Sequence, residues 1–540
     1  MRVLYSLLFG NRKLGQVLAV IMSLGIFAAS SPADAQSIAY KQSVAEVAVT
    51  NEAVRAFYKE RNYKGIWTTD RDRARRNAFL DALKSSATHG LPTAAYDHNE
   101  WKKKFNTART ARDRGKLEVE TTMLFLKYAA AIQSGFINPR SIAEDMAMKR
   151  PIRDQASLLN AVTKSNPKAF FKALPPKSPE YARLLKEKLK LEMVLGAGGW
   201  GSAIKAKKLE PGDGGTAVVA LRNRLVRMGY MKKSASSTFD AKLQKAVQAY
   251  QVDNGLSADG VAGQGTIKAM NTPAQARLQQ VIVGLERLRW LNKPLGKRHI
   301  IVNQAEFKAR IFDNGKPTFE TRVVVGKPRK DQRTPEFSDV MTHLIVNPTW
   351  HVPKSIAQKE YLPMLKKNPA SIAGQGLVMT DFHGRRVDPA DIDASQYSIG
   401  NFPFDLKQPP GSRNALGTVK FMFPNKFNIY LHDTPSKSLF SRASRAFSHG
   451  CIRVARPHDL AYAILAKQSA NPKAVFQSAR DSNVETQIDL QQSIPVHLTY
   501  RTVWVTPKGR VNYRVDIYGR DTAIFKAMSK AGVQIRALRS

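Results

Sequence analysis

Tyr430-Leu431-His432-Asp433-Thr434 and Phe447-Ser448-His449-Gly450-Cys451-Ile452-Arg453 bracket the stretch from which the rest of the chain is read. It holds the only cysteine, two histidines and a glycine within 24 residues (430–453). A thiol is mostly protonated at neutral pH, so a thiol nucleophile needs an imidazole to take its proton and hold the thiolate as an ion pair. Alternation puts Phe447, His449 and Cys451 on one face of a strand, where side chains two apart are roughly 7 Å from each other, long for a hydrogen bond. His432 ends a different apolar segment, Phe427-Asn428-Ile429-Tyr430-Leu431, and the 16 residues 433–448 can bring it beside Cys451 from a neighbouring strand. His432 is therefore the favoured base. Gly450 leaves room for a carbonyl, the backbone N–H groups of Gly450 and Cys451 suit an oxyanion, and Arg453 offers a forked guanidinium for a carboxylate.

By themselves these residues also fit an inert, small apolar cysteine among ordinary histidines. A zinc site from His432, His449, Cys451 and His458 matches no common ligand spacing. The order of His432, Ser448, His449, Gly450, Cys451 and Arg453 resembles the signature of the L,D-transpeptidase catalytic domain family. Ile345-Val346-Asn347-Pro348-Thr349-Trp350-His351-Val352-Pro353, Asn414-Ala415-Leu416-Gly417 and Lys420-Phe421-Met422-Phe423-Pro424-Asn425 extend the likeness to the large members of the Gram-negative periplasm. The resemblance implies a peptidoglycan enzyme that forms 3-3 cross-links through a cysteine thioester, with Cys451 as nucleophile and His432 as base. It implies loop or oxyanion support from His449 and Gly450, and substrate contacts from Arg453, Ser448, Trp350 and Tyr430, Trp350 being equally at home in the core. No metal or organic cofactor is expected. The partners are stem peptides as donor and acceptor; the acceptor and the oligomeric state are not legible. The same thioester resolved by water gives an L,D-carboxypeptidase, and resolved by a protein lysine a protein-to-wall ligase. A non-catalytic wall-binding scaffold is the alternative from another class.

Arg2, Arg12 and Lys13 precede an apolar run from Leu14 to Ala29 and the triplet Ala33-Asp34-Ala35. This is an export signature, with cleavage before Gln36 and a periplasmic destination; an uncleaved membrane anchor is the other reading. A formal charge of +42 would suggest nucleic acid in a cytoplasmic chain. After export the available polyanions are the wall, lipid headgroups and lipopolysaccharide, so nucleic acid is set aside; a solvated, generally cationic surface is the favoured reading, with adhesion to an anionic envelope surface as its use. A single cysteine excludes an internal disulfide.

The expected fold class is α+β. After a signal peptide over 1–35 come a helical scaffold over 36–200 and a three-helix peptidoglycan-binding-like module over 205–272. A linking helix over 273–297 leads to a β-rich catalytic domain over 298–520, with a lid at about 355–413 hinged at Gly374, Gly376 and Gly411, and a basic tail follows over 521–540. Thr216 is read as a helix cap, Asp313-Asn314-Gly315 as a hairpin turn, and Leu-Gln-x-x-Val-x-x-Tyr-Gln with Asp259-Gly260-Val261-x-Gly263 as the module's signature. A helical spacer that has lost binding is the alternative for that module. Ser202-Ala203-Ile204-Lys205 matches a serine acyl-enzyme motif, but no Lys-Thr-Gly or Lys-Ser-Gly follows, so it is taken as chance.

Overall fold

Apolar positions at helical spacing in the first third of the chain close on one another. Val44, Val54, Phe57, Phe79 and Phe125 are buried together, contributed by helices Pro32–Ala48, Glu52–Glu60, Arg73–Lys84 and Ala111–Ser134. The computed structural model describes residues 32–538, so the charged and apolar parts of the export signature lie outside the described residues. No helix among the described residues is long and apolar enough to cross a membrane. One buried carboxylate organises this core. Glu118 accepts from the N–H groups of Ile66 (2.6 Å), Trp67 (3.1 Å) and Thr68 (3.0 Å) and from the Tyr58 hydroxyl (2.8 Å). A carboxylate surrounded by donors can be buried without a counter-charge.

The helical part is not one body. Helix Pro179–Gly196 leaves the first core and packs on helix Ala274–Trp290, burying Leu184, Leu191, Leu278 and Leu285 in a second core. The C-terminal helix Arg520–Lys530 joins them through Ile524 and Met528, and Val533 beyond it is also buried. The segment expected as a basic tail thus packs one face into the interior while Lys526 and Lys530 stay exposed, because its apolar residues recur at helical spacing between the basic ones. Helix Ala274–Trp290 is correspondingly more than a link. Its Arg287 pairs with Glu336 (2.6 Å) and Asp521 (3.0 Å), and Arg520 pairs with Asp145 (2.5 Å), all within one network. Glu286 accepts from Ile137 N at 2.9 Å, and a Cβ on Gly135 would press on that carboxylate. That contact accounts for the glycine of Gly135-Phe136-Ile137.

The small module consists of helices Thr216–Arg227, Ala241–Asn254 and Gln264–Met270 around Leu221, Leu225, Leu243 and Val247. Thr216 is the first helical residue and Gly215 occupies the cap position, whereas Asp240 caps the second helix through Leu243 N at 2.8 Å. Gly255 ends that helix in the left-handed conformation.

The β domain opens with β1 (Arg298–Asn303), β2 (Lys308–Asp313), β3 (Lys316–Gly326) and β4 (Phe337–Val346). Asn314 and Gly315 both have positive φ, as the tight turn between β2 and β3 requires. Residues between β4 and β9 carry a separate sheet of β5 (Trp350–His351), β6 (Val378–Thr380), β7 (Arg386–Val387) and β8 (Asp405–Gln408). The main sheet resumes with β9 (Val419–Met422), β10 (Leu431–His432), β11 (Ala446–Ser448), β12 (Ile452–Val454) and β13 (Thr486–Thr499). Its order is β11-β3-β12-β10-β9-β4-β13-β1-β2, and a further β2–β3 pairing closes β3 through β2 into a ring to which β11 is added at β3. The residues after β13 do not all complete this sheet. β14 (Val503–Val505) and β15 (Val511–Tyr513) form their own hairpin, with Val503 and Val505 in the second helical core.

The insertion expected as a polar lid has a core of its own, with Leu362, Leu365, Ile372, Phe402 and Leu406 buried together. It is a subdomain built around that core. Gly376 and Gly411 do take positive φ.

Candidate active site

Register places the site. β10 runs parallel to β12 with Leu431 opposite Ile452 and His432 opposite Arg453, and antiparallel to β9 with His432 opposite Lys420. Leu431, Ile452 and Phe421 point into the core and are fully buried. Alternation then sends Lys420, His432 and Arg453 to the opposite side, with Tyr430 and Cys451 immediately before β10 and β12. The ring of Tyr430 lies 5.7 Å from that of His432, and Lys420 Nζ sits 4.2 Å from the Tyr430 centroid. Lys420 was quoted in the sequence only as part of a motif. Nothing there signalled a role, because it lies 31 residues before Cys451 and reaches it only across two strands.

Cys451 does not sit in the strand expected for Phe447 to Cys451. β11 ends at Ser448, Gly450 takes φ +122° and β12 starts at Ile452, so His449 and Cys451 occupy a tight loop. A Cβ on Gly450 would meet Ile429 Cδ1 at 3.1 Å. Ser448 braces this loop: its Oγ donates to Cys451 O (2.6 Å) and accepts from Gly450 N (3.1 Å). Being 2 % exposed, its hydroxyl is occupied by the loop instead of facing a substrate. The Gly450 N–H is likewise already used, which removes it from the expected oxyanion donors. Thr334 Oγ1 donates to Gly450 O at 2.6 Å and accepts from Gly326 N at 2.9 Å, tying the loop to β3.

His432 is 4 % exposed, and its Nδ1 lies 2.5 Å from the main-chain oxygen of Asp433. A carbonyl can only accept, so Nδ1 carries the proton and Nε2 keeps the lone pair. The Asp433 carboxylate plays no part in that orientation; it accepts from Thr418 N (3.0 Å), Thr418 Oγ1 (2.9 Å) and Thr434 N (2.7 Å) and pairs with Lys437. His458, in the first turn of helix Pro457–Leu465, is 2.7 Å from Thr418 Oγ1 and supports the same cluster.

Burial lowers the His432 pKa to about 3, with Arg453 adding to the shift. Burial also raises the Cys451 thiol, against the opposing pull of Tyr430, Lys420 and Arg453. Burial thus disfavours charge on the imidazole and, for the half-buried Cys451, on the thiol, which runs against the thiolate–imidazolium pair expected from the sequence. Sγ itself points to Asn428 O at 3.5 Å. Arg453 is lowered by burial, and its Nε is buried with no partner among the described residues.

The other expected residues belong partly to the insertion. His449 Nε2 contacts the Glu360 carboxylate, which projects from the helical turn Ala357–Tyr361. Trp350 lies in β5, half-buried, with its ring 6.4 Å from Tyr361, so it packs within the insertion. Lys359 reaches Asp331 at 3.1 Å, a second contact from the insertion to the loop before β4.

Comparison with known proteins agrees with this layout of helical scaffold, helical module and β domain. Residues 52–189 match a scaffold domain, 214–270 a "Putative peptidoglycan binding domain", and 297–476 the L,D-transpeptidase catalytic domain. Through that last match the β domain is similar to the L,D-transpeptidase catalytic domain. A Haemophilus influenzae protein described as "Putative L,D-transpeptidase" is 35% identical over 247 residues, 46% of this chain and 49% of the relative. The chain thus spans about half the length of that curated relative. A solved L,D-transpeptidase segment from Xylanimonas cellulosilytica aligns at 14% identity over 55% of this chain and 100% of its own, with a TM-score of 0.17. One from Stackebrandtia nassauensis aligns at 12% over 55% and 97%, with a TM-score of 0.20. Scores this low do not bear on the fold.

Proposed function

We propose that this chain is an exported peptidoglycan L,D-transpeptidase of the periplasm, forming 3-3 cross-links through a thioester on Cys451. The observation that carries the reading is the shared sheet face of His432, Lys420 and Arg453, with Cys451 in the loop that leads into β12, within the matched domain. His432 Nε2 takes the thiol proton as Sγ swings from Asn428 and attacks the carbonyl between the third stem residue and its terminal D-Ala. Lys420 and Arg453 stabilise the developing thiolate, and the Cys451 N–H is the remaining loop donor for the oxyanion. The C–N bond breaks as His432 returns the proton to the departing amine, leaving the thioester. A side-chain amine of a neighbouring stem then attacks, His432 takes its proton, and the thiol re-forms as the new amide leaves. The insertion acts as a lid, joined to the nucleophile loop by His449 and Glu360, and the helical module holds the wall.

Mass spectrometry of disaccharide-tetrapeptide incubated with the protein, and separately with Cys451→Ala, tests this. The expected products are dimers that have lost one D-Ala, absent with the variant. Tripeptide without dimer would replace the transpeptidase by a carboxypeptidase. No turnover by folded, reduced protein supplied with acceptor would reject the reading.

A further inference from the structure

Where the scaffold meets the β domain, an open recess of about 230 Å³ is lined by Arg140, Lys149, Lys293 and Lys426. Arg140 comes from the short helix Pro139–Ile142, Lys293 follows helix Ala274–Trp290, and Lys426 stands between β9 and β10. Among the described residues no carboxylate pairs with any of the four. Burial and the neighbouring Lys149 hold the Lys293 ammonium below its ordinary pKa, so these two charges press on each other without a counter-ion. One carboxylate shares the recess. Asp339 of β4 accepts from Val340 N at 2.9 Å and pairs with no cation among the described residues.

The recess shares a turn with the nucleophile's surroundings. Phe427 forms part of its wall, with its ring 5.1 Å from that of Phe337. Asn425 closes this turn: its Nδ2 donates to Phe423 O and Ile429 O, both at 2.7 Å, and its Oδ1 accepts from Phe427 N (3.0 Å) and Ile429 N (3.3 Å). Asn428, at φ +52° in the same turn, offers the carbonyl that Cys451 Sγ faces at 3.5 Å. Four unpaired cations beside one unpaired carboxylate suit a ligand of mirrored composition, rich in carboxylates and carrying one ammonium. A neutral glycan would leave all five charges unmatched, and a bare phosphate would set its own charge against Asp339.

We propose that this recess docks a neighbouring, non-reacting stem peptide of the wall, its carboxylates against Arg140, Lys149, Lys293 and Lys426 and its free side-chain ammonium against Asp339. It rests on the reading that the chain works on peptidoglycan stems, and it adds a peptide-holding site apart from the reacting groups at Cys451. With its ammonium on Asp339 a stem is held instead of attacking. The shared turn puts that held stem beside the place where its neighbour reacts.

The test is calorimetric titration of the full chain carrying Cys451→Ala with a tetrapeptide stem containing a diamino acid, and separately with the same stem acetylated on its side-chain amine. Saturable binding of the free-amine stem is expected, weakened roughly threefold to fivefold by Lys149→Met and by Lys293→Met, the scale of one partly exposed charged contact. Asp339→Asn should weaken the free-amine stem by a similar factor and leave the acetylated stem unchanged, a split that a merely structural role for Asp339 would not produce. Lys149→Met removes a repulsion from Lys293, so the melting temperature should not fall and lost binding is not lost fold. Absence of stem binding, binding indifferent to both lysine variants, or an Asp339→Asn effect shared by the acetylated stem would overturn the proposal. Lysine-dependent capture by phosphatidylglycerol vesicles without stem binding would also overturn it, replacing the peptide by a lipid headgroup. None of these outcomes depends on turnover, so a failure here is distinct from a failure of the transpeptidase reading.

Discussion

Cys451 rests as a thiol because burial raises its pKa by more than Tyr430, Lys420 and Arg453 lower it. In the proposed mechanism nucleophilicity is generated during attack, with His432 neutral at any pH well above about 3. In the free enzyme, the rate of Cys451 alkylation by iodoacetamide should keep climbing through pH 9 without a lower plateau. Lys420→Met withdraws a cation that favours the thiolate, so the thiol pKa rises and alkylation at pH 7 falls. The expected fall is roughly threefold to tenfold, as one pKa unit is a tenfold change in thiolate. A plateau below pH 8, or a variant as fast as the parent, would count against a cation-assisted thiol. At this scale the sequence displayed Cys451 and His432 by residue type. It did not display Lys420 or the Asp433 carbonyl, since strand register makes the one a neighbour and a backbone turn supplies the other.

Between strands, the nucleophile loop and the insertion act as a pair of elements. Ser448 and Thr334 hold the loop from below, while His449 meets Glu360 from the insertion. A polar contact this exposed contributes on the order of 0.2–1 kcal/mol, enough to bias the position of the insertion without locking it. Glu360→Gln should therefore raise proteolytic cleavage within 355–413 a few-fold, leaving the pH profile of Cys451 alkylation unchanged. Equal cleavage rates in parent and variant would make the contact incidental. The insertion's position in the chain was legible from its broken alternation. Its own core was not, because Leu362, Ile372 and Phe402 are too far apart in sequence to declare a shared interior.

Over the whole molecule, helix Ala274–Trp290 and the C-terminal helix join the scaffold to the β domain through Arg287, Glu336, Arg520 and Asp521. Stability should depend on acid in a defined direction. Burial lowers the pKa values of His89 and His432 to about 3 and of His497 to about 4. Between these values and the unfolded value near 6.5 the unfolded chain binds protons that the fold refuses. The stabilisation is complete above about 6.5 and is lost as pH falls toward 3. Asp521 and Glu187, both raised by burial, oppose the trend, while His458, also lowered by burial, adds to it. The melting temperature should therefore be flat from pH 7 to 8.5 and decline steadily from pH 6.5 to 4; a flat acid limb would contradict the burial of these imidazoles.

The sequence by itself determined the elements, their period and the chemistry available. Helical spacing, alternation, the Asn314-Gly315 turn and the ordered residues from His432 to Arg453 are local patterns, written by backbone geometry over a few residues. The tertiary structure decided which faces meet. It put Lys420 beside Tyr430, turned Ser448 inward, gave His449 to the insertion, drew one face of the basic C-terminal segment into the interior and disfavoured charge on Cys451. Each of these depends on desolvation and on contacts between residues far apart in the chain, and neither quantity exists until the chain has closed on itself.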